Sequence, residues 1–254
     1  MLNRLLGGGL VVVLALPALL FLNPDPARAQ AQEPAWGVQF FADGGYTFRT
    51  RNLGKNAVTI QEQQALQTIA EVEDSPFLGG GIEVLVPHHD LRIKGRVNTT
   101  LGATAQALLG LCQSGGVVSP EEGLCNVVEE ADARIIDATV EVSFVREGPR
   151  EGVHPVFSVG LGVRSHDFDS DLSACAPYSG QEREVCLRAR QIFEDPGINP
   201  LLTFGAGLDA NRGPWTGFVR VRGLTSSYGG GGGQADGERA VDLSLSGGIS
   251  FQIF

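Results

Sequence analysis

The stretch LRIKGRVNTTL, residues 91–101, alternates apolar and polar side chains along its length. Its odd positions are Leu, Ile, Gly, Val, Thr and Leu, and its even positions begin with Arg, Lys and Arg. A period of two is typical of a β-strand, because successive side chains of a strand point to opposite faces. The segment is therefore predicted to be a strand with an apolar face and a cationic face.

The same alternation occurs eight times in the chain, and it predicts eight strands. The connections after the first, third, fifth and seventh strands are long, and the others are short, so long and short connections lie at opposite ends. This is the pattern of an outer-membrane barrel, with short periplasmic turns and long external loops. We predict an all-β fold, an eight-stranded antiparallel up-and-down transmembrane β-barrel. The predicted strands are residues 36–48, 78–86, 91–101, 136–144, 157–163, 202–208, 215–221 and 241–253.

The two faces of these strands differ in a way that orients the barrel. A charged side chain near the middle of a bilayer costs about 2–4 kcal/mol on the lipid face, so the polar faces are predicted to line the interior. A soluble barrel of the lipocalin type would have the opposite arrangement. Basic and acidic residues nearly balance on the polar faces, which suggests internal ion pairs. The predicted lumenal charge network is Glu83, Arg92, Lys94, Arg96, Asp137, Glu141, Arg220 and Arg222, and the predicted aromatic girdle on the lipid face is Trp36, Tyr46, Phe48 and Trp215.

One pair within this network can be predicted from the hairpin alone. If the turn of the second hairpin centres between His88 and His89, Glu83 faces Lys94 across the two strands. In a barrel filled by such pairs, Lys94→Ala is expected to leave Glu83 unpaired.

The N-terminus has the features of a secretory signal peptide. Arg4 precedes an unbroken apolar run, residues 5–22, and two prolines and Ala27-Arg28-Ala29 follow it. Cleavage is expected before Gln30 or before Gln32. An uncleaved anchor helix is the alternative, because about eighteen apolar residues can span a bilayer. The predicted organisation is a signal peptide, residues 1–29, and a barrel domain, residues 30–254.

Composition narrows the range of functions. The 254 residues carry 19 Lys and Arg against 29 Asp and Glu, a formal net charge of −10, so no nucleic-acid partner is expected. The hydrophobic content of 43% excludes a disordered chain. The carboxylates of Asp167-Phe-Asp-Ser-Asp171 resemble a calcium loop, but Leu172 and Tyr178 replace its glycine and its last glutamate. No cofactor and no metal site is predicted.

With these marks the chain resembles the small bacterial outer-membrane β-barrel superfamily, the OmpA-like and opacity-type eight-stranded barrels, over residues 36–254. The resemblance implies an outer membrane of the Gram-negative type, contact with outer-membrane lipids and lipopolysaccharide, and recognition of a C-terminal Phe by the barrel-assembly machinery. Phe254 and Phe251 are the expected assembly signal. The chain departs from the pattern because Gln252 and Ser250 stand two and four positions before Phe254, so the apolar register runs through Phe251 instead.

The four cysteines fall in two long connections. Cys112 and Cys125 lie in the expected loop 105–131, and Cys175 and Cys186 lie in the expected loop 167–197. Two intra-loop disulfides, Cys112–Cys125 and Cys175–Cys186, are the simplest of three connectivities for an exported protein. Each would stabilise its loop by up to about 3 kcal/mol in the chain-entropy model.

Two weaker patterns concern a helix at the rim and a catalytic site. Apolar residues among glutamines and glutamates in residues 56–74 are compatible with a short helix at the rim. His154 with Ser158, and His166 with Ser165, are the candidate catalytic pairs, but the motifs of barrel lipid-modifying enzymes are not evident.

The sequence therefore predicts a non-enzymatic outer-membrane barrel that anchors disulfide-stapled acidic surface loops, with a role in envelope integrity or adhesion. The alternative is a narrow porin-like channel for small solutes or ions, whose lumen would be lined by the cations above. A third class, a secreted soluble binding barrel, would be extracted without detergent. An extracellular ligand cannot be named from the sequence.

Overall fold

The computed structural model describes nine parts of the chain, and almost all of their residues lie in β-strands. The described residues are 37–49, 54–60, 64–86, 90–110, 125–145, 152–169, 176, 198–227 and 239–253. Within these ranges, no helix is long and apolar enough to cross a membrane. The strands are β1 (Gly37–Phe48), β2 (Gly54–Ile60), β3 (Gln64–Val72), β4 (Ser75–Leu85), β5 (Leu91–Thr100), β6 (Ala103–Gly110), β7 (Cys125–Val145), β8 (Gly152–Asp169), β9 (Ile198–Arg212), β10 (Trp215–Ser227) and β11 (Arg239–Gln252).

These strands close into an eight-stranded antiparallel barrel. The order β7-β5-β4-β1-β11-β10-β9-β8 is closed by pairing of β8 with β7. Three of the eight spans are interrupted: β1 continues as β2, β3 as β4, and β5 as β6. Each of these eight ring strands is paired on both sides. The ring therefore lacks the exposed edges that an open sheet would leave. The predicted fold class is confirmed.

The predicted alternation of connections is also confirmed. Residues 86–90, 146–151 and 213–214 connect strands at one end, which we call the short-turn end. The long connections lie at the other end, the long-loop end. In outer-membrane barrels the short turns are periplasmic and the long loops external.

Side chains alternate between the exterior and the lumen along each strand. On β8, the exposed outward residues are Phe157, Val159, Leu161 and Val163, whereas Arg164 is buried inside. The same alternation of exposed apolar and buried polar residues is present on the other barrel strands. A solvent-exposed apolar exterior of this extent matches the hydrocarbon of a bilayer rather than water.

Four strands continue beyond the barrel at the long-loop end. β2 pairs with β3, β3 pairs with β6, and β6 pairs with the first part of β7. The short helix expected in residues 56–74 is therefore wrong, because β2 and β3 form a hairpin whose backbone hydrogen bonds are completed by β6. The loop expected at 105–131 is also shorter than predicted, since β6 reaches Gly110 and β7 begins at Cys125.

A glycine marks the change between β5 and β6. Gly102 has a φ of 60°, a left-handed conformation that an L side chain adopts at a cost. Before it, Lys94 and Arg96 point inward from even positions, and after it Ala103 and Ala105 point inward from odd positions. The glycine thus permits a bulge that shifts the strand by one residue and keeps the extension facing inward.

We predict that Gly102→Ala lowers the free energy of unfolding by about 1–2 kcal/mol, the cost of a left-handed conformation for an L-residue. The added Cβ itself would meet no atom within 4 Å, so the loss would come from the backbone alone. Gly95→Ala is the matched control, because it lies on the same strand and its Cβ would have no neighbour closer than 4.0 Å. Urea unfolding in lipid vesicles, followed by tryptophan fluorescence, measures both. Equal stability of the two variants would contradict the account.

Candidate functional site: the barrel interior

The lumen of the barrel holds charged side chains, and they form three layers. Seven cations and six carboxylates of the described residues point inward. The strands place them there because each occupies the inward position of its strand's alternation. They are Arg49, Arg92, Lys94, Arg96, Arg164, Arg220 and Arg222 against Asp43, Glu83, Asp137, Glu141, Asp209 and Asp242.

The layer nearest the short-turn end is built around Asp209. Its carboxylate binds Arg92 at 2.9 Å and also binds Arg220. Arg92 binds Glu83 at 2.9 Å, and Lys94 lies 3.5 Å from the second oxygen of Glu83. We call these five residues the Asp209 cluster. It connects β4, β5, β9 and β10 across the lumen.

In this cluster Glu83 lies opposite Lys94 in the hairpin register, as a turn centred between His88 and His89 requires. The expectation that Lys94→Ala leaves Glu83 unpaired is nevertheless wrong. Arg92 lies two residues before Lys94 on the inward face of β5, and its guanidinium also binds Glu83. Glu83 would therefore keep one partner in the Lys94→Ala variant.

Two ion pairs form the middle layer. Arg96 binds Asp43 and donates from Nε to the side-chain oxygen of Asn98 at 2.6 Å. Arg222 binds Glu141 at 3.3 Å between Nη1 and Oε1. The first pair joins β1 to β5, and the second joins β7 to β10.

Arg164 organises the layer towards the long-loop end. It is bidentate to Asp137, with Nε–Oδ1 and Nη2–Oδ2 distances of 2.7 and 3.1 Å. Its Nη1 also lies 2.5 Å from Asp242 Oδ2 and 3.4 Å from Ser226 Oγ. A single guanidinium thus holds β7, β8, β10 and β11 together, in the geometry that makes arginine–carboxylate pairs strong.

Three phenylalanines fill the space between these layers. The rings of Phe41 and Phe218 meet edge to face with centroids 6.3 Å apart. Lys94 Nζ lies 3.8 Å from the centroid of Phe41 and 4.8 Å from that of Phe218, and the guanidinium carbons of Arg96 and Arg222 both lie 5.9 Å from Phe77. Such cation–π contacts are stabilising when they are desolvated.

The inward position of these aromatic residues was not predicted from the sequence. Phe41, Phe77 and Phe218 stand on the polar parity of their strands, among Gln39, Asp43 and similar residues. Their position on the polar parity is the feature of the sequence that indicates an inward side chain. An aromatic residue in a strand rich in apolar residues is nevertheless easily assigned to the lipid face.

A glycine makes room for this packing. A Cβ on Gly248 would lie 2.5 Å from Asp43 Cβ and 2.6 Å from Phe218 Cζ. These distances are below any normal contact, so this inward position of β11 needs a residue without a side chain.

Apolar side chains occupy part of the lumen at the long-loop end. Ile135, Phe168, Leu201 and Leu224 are all less than a tenth exposed and point inward there. We call these four residues the apolar cap. Leu224 lies opposite Asp242 in the β10–β11 register, so the cap begins at the level of the Arg164 layer.

The other predicted residues lie elsewhere. Trp215 is exposed on the exterior near the short-turn end. The centroid of its ring lies 4.7 Å from that of Phe251. The rings of Tyr46 and Phe48 are tilted against each other with centroids 5.2 Å apart, at the end of β1 towards the long loops. Trp36, Phe254, Cys112, Cys175 and Cys186 lie outside the described residues, as does the signal peptide. Cys125 is the first residue of β7, but the side chains there are not described.

The candidate catalytic pairs are not brought together. His154 and Ser158 lie on one strand four residues apart, a separation of about 13 Å. His166 is buried in the lumen, whereas the adjacent Ser165 takes the opposite face. Among the described residues, no three His, Cys, Asp or Glu side chains are close enough to hold a metal ion.

We predict that Asp209→Asn lowers the free energy of unfolding by about 3–5 kcal/mol, the usual effect of breaking a buried charge pair. The substitution leaves two arginines with one fewer buried carboxylate. Asp169→Asn is the control, because Asp169 is exposed and faces Asp132 across the β7–β8 pair, so its loss is expected to change little. Denaturant unfolding of both refolded variants is the measurement. A neutral effect at Asp209 would show that the lumen is hydrated.

Several solved structures are similar to this chain at low sequence identity. No protein-family model and no curated protein sequence matches the chain. Among solved structures, outer membrane protein OprG from Pseudomonas aeruginosa is 13% identical, with a TM-score of 0.48, 87% of this chain covered and 97% of that one. AlkL is 15% identical, with a TM-score of 0.47 and coverage of 91% and 97%. Ail of Yersinia pestis is 12% identical, with a TM-score of 0.36 and coverage of 87% and 100%.

The strand pairing and the two faces of this chain carry the assignment by themselves. The ring of eight strands is closed, its exterior is apolar, and its interior holds paired charges. In lipid, a closed barrel is the β-structure that satisfies every backbone polar group. The chain is a small, closed, eight-stranded antiparallel β-barrel with an apolar exterior and a charged interior.

Proposed function

We propose that this protein is a non-enzymatic anchor, a barrel with a closed interior that displays its long-loop end at the cell surface. Its role would be in envelope integrity or adhesion. The observation that carries the proposal is the filled lumen, in which every level holds side chains that contact one another. Eight-stranded barrels have an interior just wide enough for side chains to fill it.

The layers of the lumen support a closed interior for separate reasons. A solute would have to displace the Asp209 cluster, whose three cations and two carboxylates contact each other in a buried region of the lumen. It would then meet Phe41, Phe77 and Phe218 between the ion pairs. Finally, it would have to pass the apolar cap, whose residues offer an ion nothing in exchange for its hydration shell.

The displayed end of the barrel is acidic on its outer face. Gln106 Nε2 connects two of the carboxylates, with Glu73 Oε1 at 3.1 Å and Glu130 Oε1 at 3.4 Å. This surface supports a role in contact with another surface, in a position next to the lipopolysaccharide head groups. The exposed carboxylates are Glu73, Asp74, Glu130, Asp132, Asp167 and Asp169.

We expect the refolded mature protein to give no reproducible single-channel current in a planar bilayer. Heat-modifiable migration on a gel is the control that the inserted protein is folded. Stable, ion-selective steps from heat-modifiable protein would contradict the closed interior and favour the narrow channel. Protein that stays in solution without detergent would instead contradict the membrane barrel.

We also propose that two disulfides, Cys112–Cys125 and Cys175–Cys186, rigidify the displayed loops. In the exported protein, peptide mapping by mass spectrometry without reduction is expected to show these two pairs. Pairing between the loops, or free thiols, would contradict it. Reduction of the two disulfides should lower rigidity only at the long-loop end, because the barrel itself is held by ion pairs.

The partners expected of such a barrel follow from its surroundings. Lipids and lipopolysaccharide would contact the apolar exterior, with Tyr46, Phe48 and Trp215 near the interfaces and Trp36 as a further candidate. The barrel-assembly machinery would insert the chain, with Phe251 or Phe254 as its signal. N-terminal sequencing of the exported protein tests the cleavage site before Gln30 or Gln32.

A further inference from the structure

A small cavity lies inside the lumen between the charged layers and the apolar cap. Its volume is about 10 Å³, room for one water molecule or one small ion. Three guanidinium groups line it, those of Arg49, Arg164 and Arg222, with the carboxylate of Asp137 as the single acidic side chain. The walls of the cavity are therefore predominantly cationic.

Four donors that line this cavity have no hydrogen-bond partner in the part of the chain that the structure describes. They are Nε and Nη2 of Arg222, Nε of Arg49 and Oγ of Ser244, and all four atoms are buried. The Arg222 side chain is only 2% exposed. A buried donor without an acceptor destabilises the folded protein, and it does so more when it is charged. Because the three arginine atoms can only donate, the missing group must be an acceptor.

The charge of the lumen points to the same conclusion. Among the described residues, Arg164 is held by two carboxylates and Arg222 by one. The guanidinium of Arg49 instead donates to neutral groups, the Glu73 carbonyl and the Ser75 hydroxyl. Of the three guanidinium groups at the cavity, that of Arg49 is therefore the one that no carboxylate of the described residues contacts.

We propose that this cavity binds one small inorganic anion, of which chloride is the expected occupant. A water molecule accepts two hydrogen bonds, so it leaves at least one of the three unpartnered arginine atoms without an acceptor, whereas a halide can accept from all three and from Ser244. The anion would also give the Arg49 guanidinium the negatively charged partner that the described residues do not supply. It would complete the interior and so act as a structural ligand of the folded barrel.

The test uses bromide as the probe, in place of gluconate at constant ionic strength. If an anion binds only the folded barrel, the unfolding midpoint rises with bromide concentration, and the stabilisation grows with the logarithm of bromide concentration, as expected for a single site. Crystals grown in bromide are expected to show one anomalous peak between Arg49, Arg222 and Ser244. A midpoint independent of bromide, or a cavity that contains only water in those crystals, would overturn the proposal.

Variants separate this site from general salt effects. Arg222→Gln is expected to abolish the bromide dependence, whereas Arg220→Gln, which removes a lumenal arginine from the Asp209 cluster, should retain it. If Arg222→Gln does not fold, Ser244→Ala removes one donor without changing the charge and should weaken the dependence several-fold. Equal bromide dependence in the Ser244 variant and the unmodified protein would contradict the assigned site.

Discussion

The structure depends on one constraint, which is that no charge on these strands can face lipid. A charge at the bilayer midplane costs several times the thermal energy, and a charge buried alone in the lumen is also costly. The chain meets both conditions by turning its charges inward and pairing them. Arg92 with Asp209 and Arg164 with Asp242 join residues 117 and 78 positions apart, so these pairs need distant strands to meet across the lumen. The ion pairs therefore link the curvature of the sheet to its correct register.

Other features of the molecule follow from this constraint. Aromatic side chains need space in a narrow lumen, and the glycine at position 248 provides some of it beside Phe218. The phenylalanines shield the paired charges from water and thereby strengthen their attraction. Beyond the charged layers, the change of parity at Gly102 keeps small apolar residues inward in the extension. The same strands thus form the membrane span and continue into the displayed end.

The sequence was sufficient to predict the architecture, because alternation and loop length are local properties. Strand number, orientation and the face of each charge followed from them, and the Glu83–Lys94 pair followed from a single hairpin. The partners of Arg164 and Asp209 could not be predicted, since they depend on register around the whole ring. The β2–β3 hairpin was missed for a similar reason: its residues have a mixed pattern, and only the backbone of β6 decides that they form strands.

The most direct test of a filled interior is access to the lumen in the folded barrel. Ser246 is fully buried and faces inward from β11, so Ser246→Cys places a small thiol there. The account predicts that a charged methanethiosulfonate reagent leaves this thiol unmodified in the refolded, heat-modifiable protein and modifies it after unfolding, as read by mass spectrometry of the peptide. Rapid modification in the folded barrel would mean that water and ions enter the lumen, and it would contradict the closed anchor.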